Sequence, residues 1–141
     1  MRPRNRTMRK TLVMAATLCA LTFAGCSSDS SETPSVDMTG TWRVGGLDFR
    51  EFNADASYRI ALSEAFENAV VDQGDYTVDG AVLRQSSNGE SAVCADGETA
   101  TYTIESLDDG ANGEERVLLV QSDDQCAKRA AEGDLTLIRL K

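Results

Sequence analysis

Residues 75–84, Asp-Tyr-Thr-Val-Asp-Gly-Ala-Val-Leu-Arg, set two short alternating runs on either side of Asp79-Gly80. Asp-Gly supplies the positive φ that a tight two-residue turn demands, so the stretch predicts an antiparallel hairpin. Tyr76 and Val78 fall on one face and Thr77 and Asp79 on the other, the spacing of a half-buried strand. The same pattern recurs in both directions. Upstream stand Gly40-Thr-Trp-Arg-Val-Gly45, Leu47-Asp-Phe-Arg-Glu-Phe52 and Ser57-Tyr-Arg-Ile-Ala-Leu62, the last two separated by the turn Asn53-Ala-Asp-Ala56. Downstream stand Thr99-Ala-Thr-Tyr-Thr-Ile104, Arg116-Val-Leu-Leu-Val-Gln121 and Asp134-Leu-Thr-Leu-Ile-Arg-Leu140. Strands of about five to seven residues joined mostly by tight turns predict an all-β chain. An eight-stranded antiparallel up-and-down meander closed into a small barrel meets the pattern, and an open β-sandwich is the alternative.

One stretch departs from the two-residue rhythm. Leu62, Phe66, Ala69 and Val70 recur at helical spacing, with Ser63 in the N-cap position. This predicts either one short helix across a barrel mouth or an irregular crossing.

The first 38 residues have a different composition. Arg2, Arg4, Arg6, Arg9 and Lys10 precede an apolar run that ends at Leu21-Thr-Phe-Ala-Gly-Cys26. A basic head followed by an apolar stretch too short to span a bilayer reads as a secretion signal over residues 1–25. Met8-Arg-Lys-Thr also has the form of a signal start. Residues 26–38, rich in Ser and Asp, have almost nothing to bury and read as a disordered tether. The folded domain is placed at 39–141.

Removing the signal leaves nine Lys/Arg against 23 Asp/Glu, a formal charge of −14. Such a surface is repelled by phosphate backbones and anionic headgroups, so no nucleic-acid partner is expected. The chain has no histidine. Ser/His and Cys/His relays are therefore excluded, and proton transfer near neutral pH lacks its usual agent. Pairs such as Asp108/Asp109, Glu114/Glu115 and Asp123/Asp124 lie in turn-rich stretches, and no catalytic residue is assigned. The chain is not expected to be an enzyme. The acidic run Asp108–Glu115 lacks the alternating ligand positions of an EF-hand loop, so no metal and no cofactor are expected. With Cys19 inside the signal and Cys26 at its end, Cys94 and Cys126 are left to pair in an oxidising compartment. A bridge between them closes a loop that the chain-entropy model values at roughly 3–4 kcal/mol.

Ala24-Gly25-Cys26 resembles the lipobox of bacterial lipoproteins. The resemblance implies lipidation at Cys26 and a lipid anchor on the membrane of the bacterial cell envelope, with the domain outside the cytoplasm. Gly40-Thr41-Trp42 on the first strand resembles the Gly-x-Trp signature of lipocalins and the wider calycin group of barrels. In those families the tryptophan closes the barrel base against an arginine of the last strand, a part for which Arg139 is placed. Phe52–Tyr58, Gly74–Gly80 and Asp123-Asp-Gln-Cys126 followed by Arg129 look like the small lipocalin-like lipoproteins of bacteria. The resemblance implies a binding domain for a small apolar ligand, with Phe52, Tyr58, Ile60, Tyr76, Leu83 and Tyr102 as the lining. An interior of eight strands is only just wide enough for side chains, so the same residues also read as plain core. The alternatives are an acidic module that grips a basic macromolecule, in the manner of membrane-anchored lysozyme inhibitors, and a structural envelope protein.

Overall fold

The computed structural model describes residues 35–46 and 48–141. The signal-like segment, the lipobox-like stretch with Cys26, and the part of the expected tether up to residue 34 lie outside the described residues. Eight strands run in chain order: β1 (Gly40–Val44), β2 (Asp48–Phe52), β3 (Ser57–Ala61), β4 (Val70–Asp79), β5 (Val82–Ser87), β6 (Thr99–Ser106), β7 (Arg116–Asp124) and β8 (Leu135–Arg139). Each pairs antiparallel with the next, and β1 pairs with β8, so the sheet closes into an up-and-down barrel. Closure leaves no unpaired edge. The open sandwich is thereby excluded.

Alternation sets the inner face. Ala100, Tyr102 and Ile104 on β6, Val117 and Leu119 on β7, and Leu135 and Leu137 on β8 are all buried, while their neighbours look outward. Together with Met38, Trp42, Phe52, Tyr58, Ile60 and Leu83 they form one continuous core. The connections β1–β2, β3–β4, β5–β6 and β7–β8 gather at one end, here the mouth. The other three connections and the C-terminus gather at the base.

The chain enters the packed structure before residue 39. Met38, read from the sequence as tether, is 2% exposed within the core, and Val36 packs against it. An apolar residue beside a barrel base gains more from burial than from solvent, and Met38 also offers its carbonyl to Trp42.

The hairpin turn differs in detail. Asp79 pairs with Val82, so Gly80-Ala81 is the turn in place of Asp79-Gly80. The change moves the pairing by two residues, and with a period of two every side chain keeps its face. Strands β4, β6 and β7 are also longer than the expected five to seven residues, at 10, 8 and 9.

The helical spacing at 62–70 does not become a helix. Phe66 and Asn68 take φ of 58° and 56°, the left-handed region that interrupts helical hydrogen bonding. Only a turn forms at Ser63, whose carbonyl accepts from Phe66 N at 3.0 Å. Leu62, first of the supposed apolar stripe, is 61% exposed, while Phe66 is buried beneath the Arg59 guanidinium. Val70 and Val71 instead extend β4, with Val70 pairing with Ala61. The irregular crossing is the outcome. The short helix lies elsewhere, as α1 (Ala127–Ala130) between β7 and β8.

Cys94 and Cys126, 32 positions apart in sequence, are joined, with Cα atoms 5.3 Å apart. Cys126 is the N-cap of α1, so the bridge ties that turn to the β5–β6 connection. Replacing both cysteines with alanine is expected to cost roughly 3–4 kcal/mol. Urea unfolding of the variant beside the oxidised protein measures the difference, and reduction of the native protein should reproduce most of it.

Candidate functional site

The side chains named for the lining are gathered in the interior. Phe52, Tyr58, Ile60, Leu83 and Tyr102 are each at most 3% exposed, and they pack on one another. Tyr76 is half-buried near the base, its ring centroid 5.0 Å from that of Phe52 and its hydroxyl donating to the Asn53 carbonyl at 3.0 Å. Their near-complete burial shows side chains packed against one another. A depression of about 300 Å³ lies along the outer face of β4–β6, among Asp75, Thr77, Arg84 and Ser86.

At the base, Trp42 and Arg139 are direct cross-strand partners. The Arg139 guanidinium carbon stands 4.2 Å from the indole ring centre. Its Nη atoms donate to the carbonyls of Thr39 and Asp37, and its Nε to Glu115 Oε2 at 2.6 Å. Trp42, fully buried, donates Nε1–H to the Met38 carbonyl at 2.7 Å. Gly40 takes φ of 123°, and a Cβ there would fall 2.9 Å from Arg139 Nη1. The glycine of Gly-x-Trp thus gives the arginine its path to the indole.

The mouth is built from polar groups. Arg129, on α1, turns into the barrel and is 2% exposed. Its Nη1 donates to Ser87 Oγ at 2.8 Å, Asp72 Oδ2 at 2.9 Å and Tyr58 Oη at 3.2 Å. Its Nε and Nη2 form a fork onto Asp124, at 2.8 and 3.0 Å. Burial alone works against the charged guanidinium, but Asp124, Tyr58 and Asp72 outweigh it and raise its affinity for the proton. Tyr58 in turn donates to Asp72 Oδ2 at 3.0 Å and meets Ser87 Oγ at 3.1 Å. Burial pushes the phenols of Tyr58 and Tyr102 upward, keeping both as neutral donors. Gly74 lies between Tyr58 and Ser87 in the sheet, and a Cβ on it would stand 1.9 Å from the Ser86 carbonyl oxygen. Only glycine allows β4 and β5 to approach this closely.

A second buried cation, Arg50 on β2, is fully enclosed. Its Nη2 reaches Glu132, just past α1, and lies 3.6 Å from Asp48. Burial raises the carboxyls of Glu132 and Asp48, with Arg50 pulling both the other way. The Arg50 guanidinium also faces the Tyr102 hydroxyl, while Asp72 Oδ1 and both amide atoms of Gln85 have no hydrogen-bond partner among the described residues. Beside Glu132 is a cavity of about 70 Å³, lined by Ile60, Val71, Asp72, Val93, Lys128, Arg129 and Glu132. Among the described residues, Cys94, Glu98 and Cys126 come close enough together to suggest metal ligands, but the two sulfurs are bonded to each other.

Sequence reasoning named Tyr58, Ile60 and Tyr102 as lining but none of the charged mouth residues as a site, although Arg129 stood in a quoted segment. The signal was the same alternation that found the core. Phe52 points inward, so Arg50 does too; Leu83 carries Gln85 and Ser87 with it. No protein-family model matches the chain, and no curated protein matches it.

Proposed function

We propose that this chain is an extracytoplasmic lipoprotein, anchored through Cys26 in the bacterial cell envelope, whose lipocalin-like barrel binds a basic macromolecule by its outer surface. The observation that carries the reading is the packed interior. Trp42, Phe52, Tyr58, Leu83, Tyr102, Leu119 and Leu137 are each at most 1% exposed, and an eight-stranded barrel has an interior just wide enough for side chains to fill. The binding surface is then the outside of the barrel. That surface is acidic: around the mouth, Glu64, Glu67, Glu90, Asp96 and Asp134 are exposed, with Lys128 among them. Opposite charge steers association and sets its salt dependence more than it sets raw affinity. The lipocalin-like kinship is supported by the barrel topology and by the Trp42–Arg139 contact.

Two measurements test this. Cys26→Ser should move the protein from the membrane fraction to the soluble one or leave it unprocessed; a variant cleaved and anchored as before would refute the lipid anchor. In calorimetry, the purified full chain should bind a basic protein such as lysozyme, with affinity falling as salt rises. Saturable binding of a fluorescent fatty acid, with none of lysozyme, would return the barrel to the role of apolar carrier.

A further inference from the structure

We propose that Asn112-Gly113, in the connection between β6 and β7, is a self-modification site at which the chain converts its own asparagine into a mixture of aspartate and isoaspartate. This chemistry is independent of the surface role proposed above.

The reaction consumes only water. The backbone nitrogen of Gly113 attacks Asn112 Cγ. A new N–Cγ bond replaces the Cγ–Nδ2 bond, and the side-chain nitrogen leaves as ammonia. Water then opens the resulting succinimide ring at one of its two carbonyls. Cleavage of the N–Cγ bond restores the ordinary main chain, with aspartate at position 112. Cleavage of the original peptide bond instead routes the chain through the side chain, giving isoaspartate with a free α-carboxylate. No electrons are transferred in either branch.

What selects one asparagine is the freedom of the next backbone nitrogen to reach Cγ. A following side chain crowds that approach and stiffens the backbone, so glycine is the most permissive successor. Asn53 and Asn68 precede alanine, whereas Asn88 and Asn112 precede glycine. The fold separates these last two. Asn88 is half-buried, its N–H donates to the Gln73 carbonyl at 2.9 Å, and its own carbonyl accepts from Ser91 N at 3.1 Å. Its Oδ1 accepts from Glu90 N at 3.0 Å, which fixes the side chain that would have to turn. The same connection is tied down by the Cys94–Cys126 bridge. Asn112 is exposed, and nothing lies within 4 Å of the position a Cβ would take on Gly113. The tip of its loop rests on two backbone bonds, Gly113 N to the Gly110 carbonyl and Gly110 N to the Glu114 carbonyl, both at 2.9 Å. Exposed backbone bonds of this kind open at small cost, and opening the first frees the attacking nitrogen. Either product adds a carboxylate to a loop that already holds Asp108, Asp109, Glu114 and Glu115.

The test is incubation of the purified full chain in detergent at mildly alkaline pH over days, followed by digestion at acid pH and mass spectrometry. The peptide bearing Asn112 should gain the mass difference between an amide and an acid. It should appear in two forms separable by chromatography, one of them a substrate for isoaspartyl methyltransferase. Conversion at Asn88 should be at least about tenfold slower, because a more firmly bonded connection must open first. The rate at Asn112 should rise with pH, since the backbone nitrogen attacks as its anion. On isoelectric focusing the ageing protein should acquire a more acidic band, which Asn112→Gln should remove while leaving the Asn88 rate unchanged. An Asn112 that stays intact overturns the proposal, as does conversion at Asn88 that is as fast. Aspartate formed without isoaspartate also overturns it, because that outcome marks direct hydrolysis of the side chain by water.

Discussion

Replacing Arg129 with methionine is expected to destabilise the protein by about 3–5 kcal/mol, the range for removing one partner of a buried ion pair. The expectation rests on what the substitution leaves behind. Asp72 and Asp124 have side chains at most 2% exposed, and Arg129 is the cation that both of them contact. Methionine fills much of the volume but offers no donor, so two carboxylates, the Tyr58 hydroxyl and Ser87 Oγ lose a shared partner at once. Chemical denaturation at neutral pH measures the loss. Adding Asp72→Asn and Asp124→Asn to Arg129→Met should recover a large part of it at neutral pH, since apolar or neutral replacements of a whole buried network are often tolerated. A single Arg129→Met variant as stable as the wild type would mean that the guanidinium is not the keystone of the mouth.

The same residues show how much of the molecule could be read from its sequence. Strand count, meander order and barrel closure followed from alternation and turn residues, because each depends on local chemistry repeated along the chain. The base was legible for a similar reason: Gly40-Thr41-Trp42 and Arg139 sit at opposite ends of the domain, and a closed meander must bring its first and last strands together. The mouth was not legible as a site. Arg50, Asp72, Gln85 and Arg129 are polar residues at inward positions, and a reading that equates polar with exposed assigns them to the surface. Only the packing shows that Arg129 reaches Asp72 and Asp124 at once. The stretch 62–70 failed differently. Its apolar residues have helical spacing, but burying Phe66 under Arg59 and adding Val70 and Val71 to β4 satisfy more of the chain than two helical turns would. Local periodicity lost to tertiary pairing.

The interior is consequently divided. Towards the base, the buried groups are mainly hydrocarbon and aromatic, including Trp42, Phe52, Leu83 and Leu137; towards the mouth they include two guanidiniums and the carboxylates that neutralise them. Burial of apolar area is non-directional and tolerates small shifts, whereas the mouth depends on a set of directed hydrogen bonds. Stability should therefore come chiefly from the base and positional definition from the mouth.

Trp42→Ala is the sharpest probe of that division, with an expected loss of about 3–5 kcal/mol for a large buried aromatic side chain. Trp42 is the chain's single tryptophan, so its emission reports this one position. In the native protein the emission should be blue-shifted and poorly quenched by iodide, because the ring is fully buried and its Nε1–H is held by the Met38 carbonyl. Arg139→Ala should cost less: a cation–π contact contributes about 0.5–2 kcal/mol, depending on its desolvation, and the Arg139 side chain is 23% exposed. Its loss would also free the carbonyls of Thr39 and Asp37, loosening the segment that covers the indole. The two changes should not add. Once the indole is gone, the guanidinium has lost its main apolar contact, and the double variant should be more stable than the sum of the single losses implies. Additive effects, or an emission readily quenched by iodide, would mean that the two residues do not act as one closure of the base.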